Sequence, residues 1–382
     1  MRVGLNALYL IPDGCGGIEM FAKYSVASLV NLPDGPEVVT FVSRAAEGYF
    51  APIEGRLRVI VCPFDARNRV ARYCWEQLVL PLQSMVLGVD VLHSLAYVGP
   101  IISPVPTVLT IHDANSQVPR TSMTRTRRAV LSVVSKLASK TADIVVTVSE
   151  FSRQELMRWY GLTAERVRIV SQGAGAEVEP CSSISDMNLN RLVSQGPYVA
   201  AIGGEYRHKN IDGLISAFSR IATEVPHNLI IAGKIADSAL MRELPPRVFL
   251  AGYLKRSDLQ ELIRRCDLFV MPSFYEGFGL PVLEAQALGS PVACSKGTAL
   301  AESTAGSAAL FSPDNIIEMA DVIKECIQDR NLNAHLRQES RSNVTRFSWN
   351  NAAREYLAIY ASLQRKTNRR FLHALTCITR LT

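Results

Sequence analysis

Short apolar, β-branched runs alternate with helical ones along nearly the whole chain, and this alternation restricts the fold more than any other feature. In the first half RVGLNAL, EVVTFVS, LRVIVC, DVLHS, PTVLTIHD, DIVVTVSE and RVRIVSQG read as strands, separated by helical stretches such as IEMFAKYSVASLV and TRRAVLSVVSKLASK. In the second half PYVAAIGG, HNLIIAGK, RVFLAGYL, DLFVMP, PVACSK and AALFSP alternate with IDGLISAFSRIATEV, SDLQELIRRC, PVLEAQALG and NIIEMADVIKECIQ. Such alternation builds parallel sheets covered by helices. At 382 residues the chain exceeds what a single core usually supports. The expected fold class is therefore α/β: two Rossmann-like, doubly wound domains facing a cleft, with ligands outside the carboxyl ends of the strands.

Between the halves, GAGAEVEPCSSISDMNLNRLVSQGP is rich in Gly, Ser, Pro and Asn and lacks periodicity, which reads as a linker. The expected division is residues 1–180, a linker over 181–197, a second domain over 198–345, and a closing segment over 346–382. FSWNNAAREYLAIYASLQR in that last segment has the period of an amphipathic helix with no strand after it; it is expected to pack back on the first domain and to continue into a basic tail.

Composition excludes several classes. The eight cysteines form no C-x-x-C pair and no zinc-like spacing, and the six histidines are scattered. Buried thiols in a reducing compartment are expected, with neither disulfide nor metal. The start, MRVGLNALYLIP, reads as a first strand rather than a cleavable leader, and no run of eighteen apolar residues occurs. A cytoplasmic protein that does not span a membrane is expected.

Net charge is +6, and its distribution says more than its size. No acidic residue lies between Asp113 and Asp143, whereas Arg120, Arg125, Arg127, Arg128, Lys136 and Lys140 do; beyond Glu355 come Arg365, Lys366, Arg369, Arg370 and Arg380. These segments are either solvated helix faces or docking surfaces for anionic lipid on the inner face of the cell membrane, where each basic residue contributes about 1 kcal/mol. No aromatic stacking platform accompanies them, so nucleic acid is not an expected partner.

The stretch FYEGFGLPVLEA raises the chemical question. Glu276 and Glu284 sit in apolar surroundings, and carboxylates are costly to bury unpaired. Pro281 suits a first helical turn, so the amides of Phe278, Gly279 and Leu280 face outward at a helix N-terminus, a seat for phosphate. A helix dipole keeps nearby carboxylates ionised, which disfavours a glycosidase acid. Ionised carboxylates accept hydroxyl donors, as a ligand with phosphates between two sugars would supply. The plainer reading is that both glutamates stabilise the helix terminus. Arg207, His208 and Lys209 stand where a strand–loop–helix start makes a second anion site.

DLFVMPSFYEGFGLPVLEAQALGSPVACS resembles the E-x7-E signature of the retaining glycosyltransferases of the family-4 type, two-domain GT-B enzymes that use nucleotide-sugar donors. GGIE (Gly16–Glu19), TIHD (Thr110–Asp113), VSEFSRQEL (Val148–Leu156), GGEYRHKN (Gly203–Asn210), IAGK (Ile231–Lys234) and GYL (Gly252–Leu254) follow the family's order, so the resemblance covers nearly the whole chain. It implies an acceptor-binding first domain and a donor-binding second one. Glu276 then receives hydroxyls of the donor sugar, Glu284 those of the ribose, and Lys209 the diphosphate, while His112 contacts the sugar near the reacting carbon. Gly16 and Gly17 let acceptor and diphosphate approach the backbone, and Gly233, Lys234 and Tyr253 join the backbone of Gly277, Phe278, Gly279 and Leu280 against the donor. Many relatives carry an arginine where this chain has Gly204; Arg207 is the expected substitute. By the same resemblance, bacterial surface polysaccharide assembly is the expected setting, with mannose from a co-substrate such as GDP-mannose passed to a saccharide or lipid-linked saccharide.

No D-x-D motif occurs, and a metal-independent transferase without a cofactor is expected, with Lys209 and a helix N-terminus stabilising the departing diphosphate. Three rival readings stay open. An NAD-dependent oxidoreductase would share the sheet, but the chain lacks the G-x-G-x-x-G fingerprint after its first strand. A non-catalytic nucleotide-sugar-binding protein would share every motif, and a phosphorylase of the same fold would need a lysine-bound pyridoxal group.

Overall fold

The structure, a computed structural model, describes residues 1–382 except 13–15, 118–124, 175–183, 205, 236–242 and 379–382; for Arg125, Arg127 and residues 365–378 it describes the backbone alone. The first lobe contains β1 (Arg2–Asn6), α1 (Gly17–Asn31), β2 (Glu37–Ser43), β3 (Leu57–Cys62), α2 (Arg69–Cys74), α3 (Leu80–Val86), β4 (Val91–Ser94), β5 (Thr107–Thr110), α4 (Arg125–Thr141), β6 (Ile144–Thr147), α5 (Glu150–Tyr160) and β7 (Val167–Ile169). Its strands form one parallel sheet in the order β3-β2-β1-β4-β5-β6-β7.

The second lobe contains α6 (Met187–Val193), β8 (Tyr198–Ile202), α7 (Ile211–Ile221), β9 (Asn228–Ala232), β10 (Val248–Gly252), α8 (Arg256–Arg265), β11 (Leu268–Met271), α9 (Leu280–Ala287), β12 (Val292–Ser295), α10 (Ala299–Thr304), β13 (Ala309–Phe311), α11 (Ile316–Gln328) and α12 (Arg330–Val344). Its sheet is also parallel, ordered β10-β9-β8-β11-β12-β13. In both sheets the order reverses beside the first strand, the switch point at which such folds open a crevice. The inner strands are buried on both faces, which is why their sequences read as nearly unbroken apolar runs.

Two places depart from the sequence expectation. The segment expected as a bare linker contains α6, capped by the Asp186 carboxylate, which accepts from the Leu189 amide at 2.8 Å. Leu189 and Leu192 of α6 pack into the second core. Residues 69–86, not anticipated as helical, form α2, a π-turn over Trp75–Val79, and α3.

The chain ends in α13 (Trp349–Ile378), which lies against the first lobe: Ala353, Tyr356 and Tyr360 share a core with Leu5, Phe21 and Val91. Tyr360 and His93 Nδ1 are 2.6 Å apart, and His93 Nε2 is 2.7 Å from the Thr110 hydroxyl, so a buried polar chain ties α13 to β4 and β5. Cys62, Cys74, Cys266, Cys294 and Cys326 are free thiols. Among the described residues no helix is long and apolar enough to cross a membrane.

Candidate active site

The loops after β8 and β11 bring the second lobe's charged side chains together. After β8 the chain makes a short 3-10 turn, Arg207–Lys209, and then places Asn210 in the left-handed region at φ 54°. Asparagine tolerates that conformation better than most residues. Its side-chain amide donates to the carbonyls of Pro272 (3.1 Å) and Pro313 (2.8 Å), which pins this loop to the one after β11. The Phe274 amide adds a bond to the His208 carbonyl at 2.7 Å.

Two ion pairs result. Lys209 Nζ donates to Glu276 Oε1 at 2.8 Å, and Arg256 Nη2 at the start of α8 donates to Glu284 Oε1 at 2.9 Å. All four side chains are largely shielded from solvent. Burial by itself pushes the Glu276 carboxyl upward, but the Lys209 ammonium, its hydrogen bond and neighbouring polar groups outweigh it and hold the group below the usual glutamate range. Both carboxylates of FYEGFGLPVLEA are thus paired with cations from other elements. Arg256 was not singled out in the sequence because the KRSD turn that carries it is ordinary helix-start chemistry.

Between the carboxylates lies the N-terminus of α9. Gly279 takes φ +100° as its cap, and Pro281 sits in the first turn. The first amides of a helix lack intrahelical partners and carry the positive end of its dipole. Gly17 of the first lobe faces this end: a Cβ built there would stand 3.8 Å from Leu280 Cδ1. β8 and β9 run into the close-packed glycines Gly203 and Gly233, and β10 ends at the open Gly252. The Gly203 amide bonds the Ala232 carbonyl at 2.7 Å and the Gly233 amide the Gly252 carbonyl at 2.6 Å, and a Cβ on Gly233 would come within 2.8 Å of the Gly203 oxygen. Lys234 and Tyr253 are exposed beyond these glycines. Arg207 is also exposed.

From the first lobe, His112 is buried at the end of β5. Its Nε2 donates to the Leu95 carbonyl (3.0 Å) and its Nδ1 accepts from Gln172 (3.3 Å). Its ring meets Phe21 edge-on at 4.5 Å. Burial lowers its pKa to about 4, so the ring is neutral. Asp113 beside it accepts from the Tyr97 hydroxyl at 2.9 Å, and burial raises its pKa. Among the described residues no group of His, Cys, Asp or Glu is arranged to hold a metal ion.

Two facing parallel-sheet lobes, with a helix N-terminus and cation–carboxylate pairs at the strand ends of the second, define the GT-B class. Solved structures share this fold. Sucrose-phosphate synthase from Thermosynechococcus elongatus aligns with a TM-score of 0.73 at 18% identity, covering 95% of this chain and 99% of that one. HepE from Anabaena, solved in complex with UDP-glucose, aligns with a TM-score of 0.71 at 18% identity, covering 95% and 100%.

Residues 186–343 match the family described as Glycosyl transferases group 1, and residues 15–177 match Glycosyltransferase Family 4, so the chain belongs to the glycosyltransferases of this group. O-antigen chain mannosyltransferase B of Escherichia coli is 29% identical over 234 residues, 58% of this chain; the match spans 61% of that relative's length.

Proposed function

We propose that the protein transfers a hexosyl group from a nucleotide-sugar donor to a saccharide or lipid-linked saccharide acceptor, with retention of configuration and without a metal, in the assembly of a cell-surface polysaccharide. One observation carries this reading: the Lys209–Glu276 and Arg256–Glu284 pairs stand with the α9 N-terminus on one set of strand ends. A nucleoside diphosphate would replace the carboxylate as the partner of the Lys209 ammonium. Charge-assisted bonds from Lys209 and the amides at 278–280 would stabilise the leaving diphosphate as the sugar becomes oxocarbenium-like. Glu276, released from Lys209, would accept sugar hydroxyls, and Glu284, oriented by Arg256, those of the ribose. The acceptor hydroxyl would enter from the face that the diphosphate leaves, its oxygen bonding to the sugar carbon as its proton passes to the departing diphosphate oxygen. His112 would line the sugar subsite as a neutral ring.

GDP-mannose is the first donor to test, because the Escherichia coli relative carries the name of a mannosyltransferase. The test is a thermal-shift panel of UDP, GDP, ADP and dTDP. One of them should stabilise the protein by about 2.7 kcal/mol at a hundred times its Kd. Absence of any shift would remove the donor reading, and turnover of the matching sugar nucleotide separates an enzyme from a sensor.

Docking of the first lobe on an anionic membrane surface belongs to the same proposal. Its support is α4, where Val130, Val133 and Leu137 are exposed along one face beside exposed Lys136 and Lys140. Apolar stripes flanked by basic residues suit an anionic lipid interface. Arg120 and Arg380 lie outside the described residues, as do the side chains of Arg125, Arg127, Arg365, Lys366, Arg369 and Arg370.

A further inference from the structure

The motif VSEFSRQEL has no part in the chemistry proposed above, yet it forms the start of α5 and touches the other lobe. Ser149, the α5 N-cap, donates its hydroxyl to the Gly277 carbonyl at 2.6 Å, and Ser152 donates to the same oxygen at 2.9 Å. Both serines are fully buried. Gly277 directly follows Glu276, and its lack of a side chain is what lets the lobes meet. A Cβ there would come within 2.7 Å of Asp113 Cβ and 2.8 Å of the His112 carbonyl oxygen. On the other side of Glu276, the Tyr275 hydroxyl accepts from the Ala114 amide at 2.9 Å. Two more crossing bonds run through Glu302 of α10, whose carboxylate accepts from the amides of Glu150 (2.8 Å) and Phe151 (3.0 Å) at the α5 N-terminus. That is where a helix dipole favours an anion.

Resting on the donor reading above, we infer that Ser149 and Ser152 are positioning residues: through the Gly277 carbonyl, α5 sets the place of Glu276, so that contact between the lobes completes the grip on the donor sugar. Both chain neighbours of Glu276 are held by the first lobe, whereas Lys209, the α9 N-terminus and the Arg256–Glu284 pair are supplied by the second. Separation of the lobes would break the bonds to Tyr275 and Gly277 and leave the Glu276 loop to its second-lobe contacts alone, among them the Lys209 ion pair and the Ala299 amide on the Glu276 carbonyl at 3.3 Å. Sugar binding and nucleotide binding are therefore separable. A donor would be gripped at its hexose only after α5 has docked, an induced-fit arrangement that delays cleavage until the acceptor lobe is present.

The experiment compares wild type, Ser149→Ala/Ser152→Ala and Ser149→Thr, which keeps both hydroxyl and cap. Without nucleotide, amide exchange over 275–279 should rise at least about tenfold in the double alanine variant, because opening of that loop would no longer break two hydroxyl bonds, and stay unchanged in strands β8–β13. With GDP-mannose and UDP-glucose as probes, kcat should fall about 10- to 10²-fold, as expected for a slightly misplaced group, while Kd for GDP and UDP stays within about twofold; Ser149→Thr should match wild type. If the double variant does not fold, Ser152→Ala alone, with the N-cap intact, gives the same comparison. Unchanged loop exchange, or a nucleoside diphosphate affinity that falls in parallel with kcat, would overturn the inference. A wild type that binds neither nucleotide would instead refute the donor reading, and the exchange comparison would still decide the role of α5.

Discussion

Lys209 Nζ stands 2.8 Å from Glu276 Oε1, although the two residues belong to separate strand–helix connections. Asn210 makes this possible by tying one loop to the other through Pro272. The pair keeps a shielded carboxylate ionised and a cation in place, so that a diphosphate can exchange one anionic partner of the lysine for another. Ion pairs of this kind add little to stability once desolvation is counted, and their presence at the strand ends points to function.

Lys209→Ala should reduce transfer by about 10²- to 10³-fold, the size of losing one preorganised donor to a developing charge. Initial rates at saturating donor check this, and unaltered turnover would show that the diphosphate sits elsewhere.

Stability should fall as pH drops from about 6.5 to 4. Burial lowers His93 to about 3, with a further push from His112, and lowers His112 and His208 to about 4, from an ordinary 6.5. In that window the unfolded chain binds protons that the native state refuses, so stability rises with pH. Glu276 acts in the same direction lower down: its depressed pKa contributes stability above the ordinary 4.5 that is lost as pH falls through the folded value. Glu76, raised by burial to about 7, opposes the histidines between 4.5 and 7, and Asp113, also raised by burial, opposes them from the ordinary 3.8 upward. Three histidines outweigh these two carboxyls. Urea midpoints at pH 7 and 4.5 should therefore differ in favour of pH 7, and Glu76→Gln should widen the gap; equal midpoints would contradict the assignment.

Tyr360→Phe should destabilise the protein by about 1–3 kcal/mol, because it strips a hydrogen bond from the buried His93 ring. Equilibrium unfolding measures this, and a neutral result would mean that α13 is held by its apolar face alone.

The layered architecture was legible because parallel strands buried on both faces leave unbroken apolar runs, as in HNLIIAG and DLFVMP. Glu276 and Glu284 stand out in the sequence because a glycine turn followed by a proline announces a helix start, and Lys209 because it lies in a basic strand–loop–helix connection. What stayed hidden were relationships between distant segments. Nothing near Arg256 signals that it pairs with Glu284, and nothing in VSEFS signals a shared carbonyl at Gly277. The helix inside the expected linker was masked by its polar composition, since Leu189, Leu192 and Val193 alone of its residues join the core.

Vesicles containing phosphatidylglycerol should bind the protein, and phosphatidylcholine vesicles should not, with binding weakened by salt as screening predicts. Val133→Glu with Leu137→Glu should abolish sedimentation with the anionic vesicles. Equal binding by that variant would move the contact away from α4.

The most direct measurement is a crystal structure with an intact sugar nucleotide in the cleft. Phosphate oxygens should lie at Lys209 and the amides of 278–280, with Glu276 within hydrogen-bond distance of hexose hydroxyls and Glu284 on the ribose. A ligand bound elsewhere, or a Glu276 that stays on Lys209 while the hexose points away from it, would contradict this arrangement.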